Sequence, residues 1–420
     1  MRCEESADLA GSSRIGLEGL DWAMAAASIR DVVFPLHTLD PAAGDDSDLQ
    51  VLRDVVGDAR VVCLGESVHF ASEFYRLRDR VLRFLVRELG FSAFVLESGL
   101  PEGLLVDDWV RGGLGDLAEI ARRGITYAFG RCEEMHAQLR WMRDWNAAGR
   151  HTVGFYGMDV PGWCANPGPG VAACLARLDP MPGDRELLAA ADLGEPTGAP
   201  SPDARGATGA PAGLARGIGE LAARASAVGD DLALQCARGA QRVVEFLAHG
   251  LYPAPGRNLR NEVMAENLRW ILDREDRIVV GAHNVHLQRA VSFDGTAPIG
   301  SLLTPVLGDD LVVIGTTRGA GPVPDLDLGA DPSRRFSAPD GASAPPPHSL
   351  DAVLDAAELP HHLVDLRRIP PETIAAATAM CAQNVLVDLD PRQAFDAIVH
   401  VRQITPAHGA ADRPANPTER

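Results

Sequence analysis

No lysine occurs in the chain; all 39 basic residues are arginine. That absence removes Schiff-base chemistry, an internal pyridoxal phosphate aldimine and the phosphate-binding lysine of a P-loop. Heavy use of Ala, Gly and Pro points to a GC-rich coding bias as its cause, so the absence serves for elimination only. Arginine does suit rigid, two-pronged recognition of a carboxylate or an oxyanion. Cysteine is sparse: seven residues, an odd number without a C-x-x-C pair, which predicts reduced thiols in a cytoplasm. No apolar run is long enough to span a bilayer, which takes about 18 residues or more. The start, MRCEESADLAGSSR, is acidic and lacks an apolar stretch, so no signal peptide is expected. Positive charge is in deficit, with a formal net charge of −19, which argues against nucleic acid and an anionic membrane as partners.

What is present is 420 residues with 46% apolar content, too much for one small domain. Buried strands are expected at Val61–Leu64, Ala93–Leu96, Thr152–Tyr156, Arg277–Ala282, Leu311–Thr316, His362–Leu366 and Phe395–Val401. Helices are expected at 47–58, Ala71–Leu89, Glu134–Ala148, Gly219–His249 and Asn258–Asp273, with a short one in the loose end 1–27. The alternation predicts an α/β fold, a central mostly parallel sheet flanked by helices, with a mostly helical insertion or lid over an active-site cleft. Residues 1–164 and 276–405 are read as the two parts of the core and 165–275 as the insertion, containing a flexible Pro/Gly-rich loop at 180–217. A second loop is expected at 319–347 and a disordered tail at 406–420.

Four expected strands end in polar residues: Glu66, Glu97, Asp159 and His283. In open α/β sheets ligands bind beyond the carboxyl ends of the strands, so these four should converge, with Glu66 and Glu97 on neighbouring strands. Any one carboxylate could instead cap the following helix. His69, three residues after Glu66, is a candidate general base, or a cap for the helix it precedes. Arg76 and Arg78 lie on that helix, where one could meet an oxyanion, while Arg80, Arg83 and Arg87 are read as surface charges.

Ser67 sits in Gly65-Glu66-Ser67-Val68-His69, one letter short of G-x-S-x-G. A nucleophile elbow needs its second glycine where His69 stands, so a serine triad is the weaker reading and activated water the stronger. Glu66, His69, His283 and His286 form a conceivable metal set, but the order is not H-E-x-x-H. Hydrogen bonding to substrate is preferred, and neither metal nor cofactor is expected.

The turn Gly65-Glu66-Ser67-Val68-His69, followed by Glu73-Phe74-Tyr75-Arg76-Leu77-Arg78 and Val95-Leu96-Glu97-Ser98-Gly99, resembles the erythromycin esterase family. So do Gly154-Phe155-Tyr156-Gly157-Met158-Asp159, the run Arg260-Asn261-Glu262-Val263-Met264-Ala265-Glu266-Asn267, Ala282-His283-Asn284-Val285-His286 and Phe395-Asp396-Ala397-Ile398-Val399-His400. The matches come in the family's order from about residue 40 to 405. The resemblance implies an α/β core with a helical lid over a large cleft, and hydrolysis of a macrolide lactone without a covalent enzyme intermediate. It implies His69 as the base that activates water, surrounded by Glu66, Arg78, Glu97, His283 and His286.

Within that set we expect Glu66 or Glu97 to orient His69 or the water, and Arg78 and His283 to meet the oxyanion. His286, Arg76, Asn284, Asp159 and Phe70 are the candidates for contacting substrate. Phe70 stands where the family usually has glycine, and the loop 180–217 is unusually rich in Pro and Gly. The expected substrate is a small molecule, a macrolide or other polyketide. The same cleft could serve a biosynthetic tailoring enzyme for ring closure, dehydration or epimerisation, or a protein that only sequesters the compound.

Overall fold

The computed structural model describes residues 29–194, 213–292, 295–323, 344–375 and 377–409. Its strands are β1 (Phe34–Pro35), β2 (Val61–Glu66), β3 (Ala93–Gly99), β4 (Gly154–Asp159), β5 (Ile278–His283), β6 (Leu311–Ala320), β7 (His361–Asp365), β8 (Ala379–Ala382), β9 (Val385–Asp388) and β10 (Ala397–Gln403). Eight of them form one sheet in the order β1-β7-β10-β6-β2-β5-β3-β4, and β8 and β9 make a separate hairpin. The six strands from β10 to β4 are mutually parallel, while β7 runs antiparallel to β10 and β1 antiparallel to β7.

The central strands read as unbroken apolar runs because helices cover both faces. Successive residues of β2 point to opposite sides, so Val62 and Leu64 enter one core with Phe74, Leu77, Val81 and Leu139. Val61 and Cys63 enter the other, with Met264, Leu268 and Leu303. The helix Ser72–Leu89 keeps its apolar stripe on the sheet and stops at Gly90, whose φ of 72° lets its N–H reach back to the Leu85 carbonyl. Arg80 is buried on this helix rather than exposed, donating to Asp48 Oδ2 at 2.9 Å.

Strand order corrects one expectation. Glu66 and Glu97 do not end neighbouring strands, because β5 lies between β2 and β3 and places His283 opposite Glu66. Two further helices, Leu100–Val110 and Leu117–Gly124, follow β3 directly. The first lies so close to β4 that a Cβ on Gly103 would stand 2.7 Å from the Gly157 amide nitrogen. Only glycine permits that approach.

Between β4 and β5 run the helices Gly168–Leu175, Asp184–Ala191, Leu214–Val228, Asp231–His249 and Leu259–Leu272. Several share a satellite core of Val171, Cys174, Ile218, Leu221 and Cys236. The stretch Gly219–His249 is not one helix: Gly229, at φ 75°, ends the first, and the Asp230 side chain caps the second by accepting from Ala233 N–H. Asp184–Ala191 is helical within the expected loop 180–217, of which 195–212 lie outside the described residues. Residues 319 and 320 belong to β6, and 324–343 of the second expected loop lie outside them too. The chain is still packed at 406–409, where Pro406 bridges to Ala71 and Ala407 N–H donates to the Phe70 carbonyl. The rest of the expected tail, like the expected N-terminal helix, lies outside the described residues. No described helix is long and apolar enough to cross a membrane.

Candidate active site

Glu66 closes β2, and the chain turns through Ser67-Val68-His69 before the helix Ser72–Leu89 begins. That short turn brings His69 Nδ1 to 2.6 Å from Glu66 Oε1. Arg78, two turns along the helix, donates from Nη1 to Glu66 Oε2 at 3.0 Å. Glu66 therefore sits between a guanidinium and an imidazole, and the contact fixes the tautomer with the proton on Nδ1. Among the described residues no hydrogen bond occupies His69 Nε2. The ring lies 4.8 Å from that of His283 and 5.1 Å from that of Phe129, with 14% of the side chain exposed.

Burial pulls the His69 pKa down, but the hydrogen bond and charge of Glu66, aided by Glu97, outweigh it against opposition from Arg260. The net direction is upward. Because a base must be unprotonated, its activity should fall on the acid side at a pH above the unperturbed histidine value of about 6.5. Glu66→Gln should lower the maximal rate and move that limb to lower pH; a pH–rate profile of the two proteins measures both. A limb that stays in place would break the link between Glu66 and His69.

A second assembly centres on Arg260, in the first turn of the helix Leu259–Leu272. Its Nε and Nη2 donate to Asp159 Oδ2 at 2.9 and 2.6 Å, Nη2 also to Glu97 Oε1 at 2.7 Å, and Nη1 meets His286 Nε2 at 3.1 Å. Its guanidinium lies 4.8 Å from the centre of the Tyr127 ring. A register shift between Leu96 and Gly99 interrupts β3 around Glu97. The other Glu97 oxygen accepts from His283 N–H at 2.8 Å. Burial pushes the Glu97 carboxyl up, but His286, Arg260 and His69, with that amide, hold it well below the usual carboxylate range. His286 donates from Nδ1 to Asn261 Oδ1 at 2.8 Å, and burial lowers its pKa to about 4. At neutral pH it is uncharged, which leaves Arg260 as the permanent cation in contact with Glu97.

The four strand-end residues thus come together, with duties that differ from those expected. His283 Nε2 donates to the Ser67 carbonyl at 3.1 Å and Nδ1 accepts from Val285 N–H at 3.3 Å. Burial, then the neighbouring His69, drives its pKa well below 6.5, and in this arrangement neither ring nitrogen is free for an oxyanion. Arg78 stands behind Glu66, buried against the rings of Tyr75 and Phe94, so it supports the carboxylate rather than facing substrate. Arg76 is half-buried, two residues from Arg78 and therefore about 200° around the helix. Asp159 is fully buried, its two oxygens taken by Arg260 and Val160 N–H, so it holds Arg260 instead of substrate.

Asn284 is also fully buried, donating to the Thr316 carbonyl at 2.7 Å and accepting from its N–H at 3.2 Å. It ties the segment after β5 to β6 rather than facing a ligand. Nor do Glu66, His69, His283 and His286 offer lone pairs to one point, since His283 is spent on backbone and His286 Nε2 faces a guanidinium. Ser67 is fully buried, and its Oγ makes no hydrogen bond among the described residues.

Phe70 is buried with φ at 62°, its ring 5.3 Å from that of Phe129. A left-handed conformation costs a residue with a Cβ roughly 1–2 kcal/mol, whereas glycine adopts it freely. The ring packing offsets that cost. Phe70→Ala should therefore be less stable than Phe70→Gly by about 1–2 kcal/mol, the reverse of the usual ranking, as read from urea unfolding of the two variants. Equal midpoints would show that the left-handed backbone is unstrained.

Nothing in the sequence assigned Arg260 a role, although it opens the run Arg260–Asn267. Tyr127 was missed as well, and it too holds a left-handed φ of 57°. No local signal marked either residue, because the partners of Arg260 come from β3, β4 and the segment after β5.

The family described as erythromycin esterase matches residues 86–404. Erythromycin esterase type II of Escherichia coli is 26% identical, over 89% of this chain and 96% of its own. A protein of solved structure from Bacillus cereus shares the fold with a TM-score of 0.75 at 21% identity, covering 92% of this chain and 98% of that one. A histidine-to-asparagine mutant of the erythromycin esterase EreC, in its open conformation, gives 0.66 at 21% identity over 89% and 98%.

Proposed function

Since the chain belongs to the erythromycin esterase family, we propose that it cleaves an ester or macrolactone of a bulky, polyketide-like compound with water activated by His69. The observation that carries this reading is the 2.6 Å contact of Glu66 with His69 Nδ1, which leaves Nε2 open. Water held at Nε2 attacks the carbonyl carbon, and its proton passes to Nε2. Glu66 stabilises the resulting imidazolium without taking its proton, and the hydrogen bond from Arg78 Nη1 holds the carboxylate in place. As the tetrahedral intermediate collapses, His69 returns the proton to the leaving alkoxide.

A guanidinium has five N–H donors. In Arg260 four contacts engage Asp159 twice, Glu97 and His286, leaving one hydrogen on Nη1 for the developing oxyanion. Tyr127 and Trp163, whose ring centres are 5.1 Å apart, give the bulky substrate an aromatic wall, and the helices between β4 and β5 serve as its lid. The six described cysteines are buried and unpaired, which suits a reducing cytoplasm. Intact-protein mass spectrometry during turnover tests the water route. An unmodified chain is expected, and an acyl adduct on Ser67 would refute it.

A further inference from the structure

We propose that Gln383, at the tip of the β8–β9 hairpin, is a positioning residue for His69. The inference rests on His69 being the base, and it adds a part of the chain that the catalytic cluster does not include. β8 and β9 pair from Ala379↔Asp388 to Ala382↔Val385, which leaves a two-residue turn of Gln383 and Asn384. Gln383 has φ at 52°, a left-handed value for which hairpin turns normally use glycine or asparagine. Such a residue persists where its surroundings over-determine it.

Here both of its amides grip the catalytic turn. The Gln383 backbone N–H donates to the Ser67 carbonyl at 2.7 Å, and its side-chain Oε1 accepts from His69 N–H at 2.9 Å. The Ser67 carbonyl also receives His283 Nε2–H, so hairpin and β5 hold it from two sides. The hairpin is rooted in turn: all four residues of β8 are buried, and Cys381 N–H donates to Asp351 Oδ2 at 2.8 Å. Glycine at the tip would relieve the backbone and keep the contact to Ser67, but it would abandon His69.

The consequence falls on the imidazole. Its contact with Glu66 spans only three residues, so the ring reaches the carboxylate only while the main chain of His69 is fixed. Around His69 stand Glu66, Glu97 and Arg260 as charged groups, with His283 beside it. If its backbone is released, the contact with Glu66 loosens and burial, which disfavours the imidazolium, gains.

The test uses the full chain with isotope-labelled histidine. The His69 signal is assigned by its loss in His69→Ala, and its titration is followed in Gln383→Ala, Gln383→Gly and Gln383→Glu. In the Ala and Gly variants the His69 midpoint should fall, with kcat down about 10- to 100-fold and KM little changed. Gln383→Gly should unfold no more easily than Gln383→Ala, so activity and stability part company, which a merely structural residue would not produce. Gln383→Glu keeps an acceptor and adds negative charge, so its midpoint should rise. Should the Gly and Ala variants fail to fold, this one decides. Unmoved midpoints would overturn the proposal. Full activity in His69→Ala would instead refute the base assignment, a failure separable because the titration is read without substrate.

Discussion

His69→Ala should lose about 100- to 10,000-fold in turnover, the usual contribution of a base within hydrogen-bond reach of the proton it removes. The side chain has the two features the task requires, a carboxylate on Nδ1 and an open Nε2. Ser67→Ala should keep most of the activity, since the hydroxyl is buried and no histidine bonds to it. Burst kinetics with both variants separate the cases. Loss of activity in Ser67→Ala, with retention in His69→Ala, would exchange the two roles.

Arg260→Ala should be the most destabilising single change in the site. Glu97 and Asp159 are almost wholly buried, and both depend on this guanidinium for neutralisation. Removing one partner from a buried ionic cluster costs about 3–5 kcal/mol, because charge is left unpaired. Arg260→Lys should recover little, since an ammonium cannot bridge two carboxylates and an imidazole in one plane. The sign with pH follows from the depressed Glu97 carboxyl. A carboxyl whose folded pKa is depressed adds stability above its unfolded value of about 4.3, and that stability is lost as pH falls toward the folded value. The gap between wild type and Arg260→Ala should therefore narrow on acidification. Denaturant unfolding at neutral and acid pH measures it, and a gap that stays constant would mean the carboxylates do not rely on Arg260.

Much of this was legible in the sequence, for physical reasons that can be named. Strands covered on both faces must be apolar throughout, so Val61–Leu64 and Arg277–Ala282 stood out, the first stopping short of Gly65 and Glu66, the second starting one residue early and stopping short of His283. The Glu66–His69 pair was legible because three residues are all that separate them. The position of β5 between β2 and β3 was not, since strand order is set by pairing between segments far apart in the chain. The antiparallel direction of β7 was hidden too, because a buried strand carries no mark of its polarity. Arg80 reads as one more surface arginine on a charged helix, and only partners on a different segment, Asp48 and the carbonyls of Thr38 and Asp45, make it a buried residue. Gln383 reaches His69 across 314 positions of sequence, a distance no local pattern spans.

The central claim is net hydrolysis by water that His69 activates. Incubating the protein with a panel of macrolides in heavy-oxygen water, followed by mass spectrometry of product and protein, tests it most directly. Hydrolysis by this route gives a product heavier by one labelled water, an unmodified chain, and no conversion by His69→Ala. A product of unchanged or water-depleted mass, made by wild type and lost in His69→Ala, would contradict hydrolysis and point to isomerisation or ring closure at the same residues.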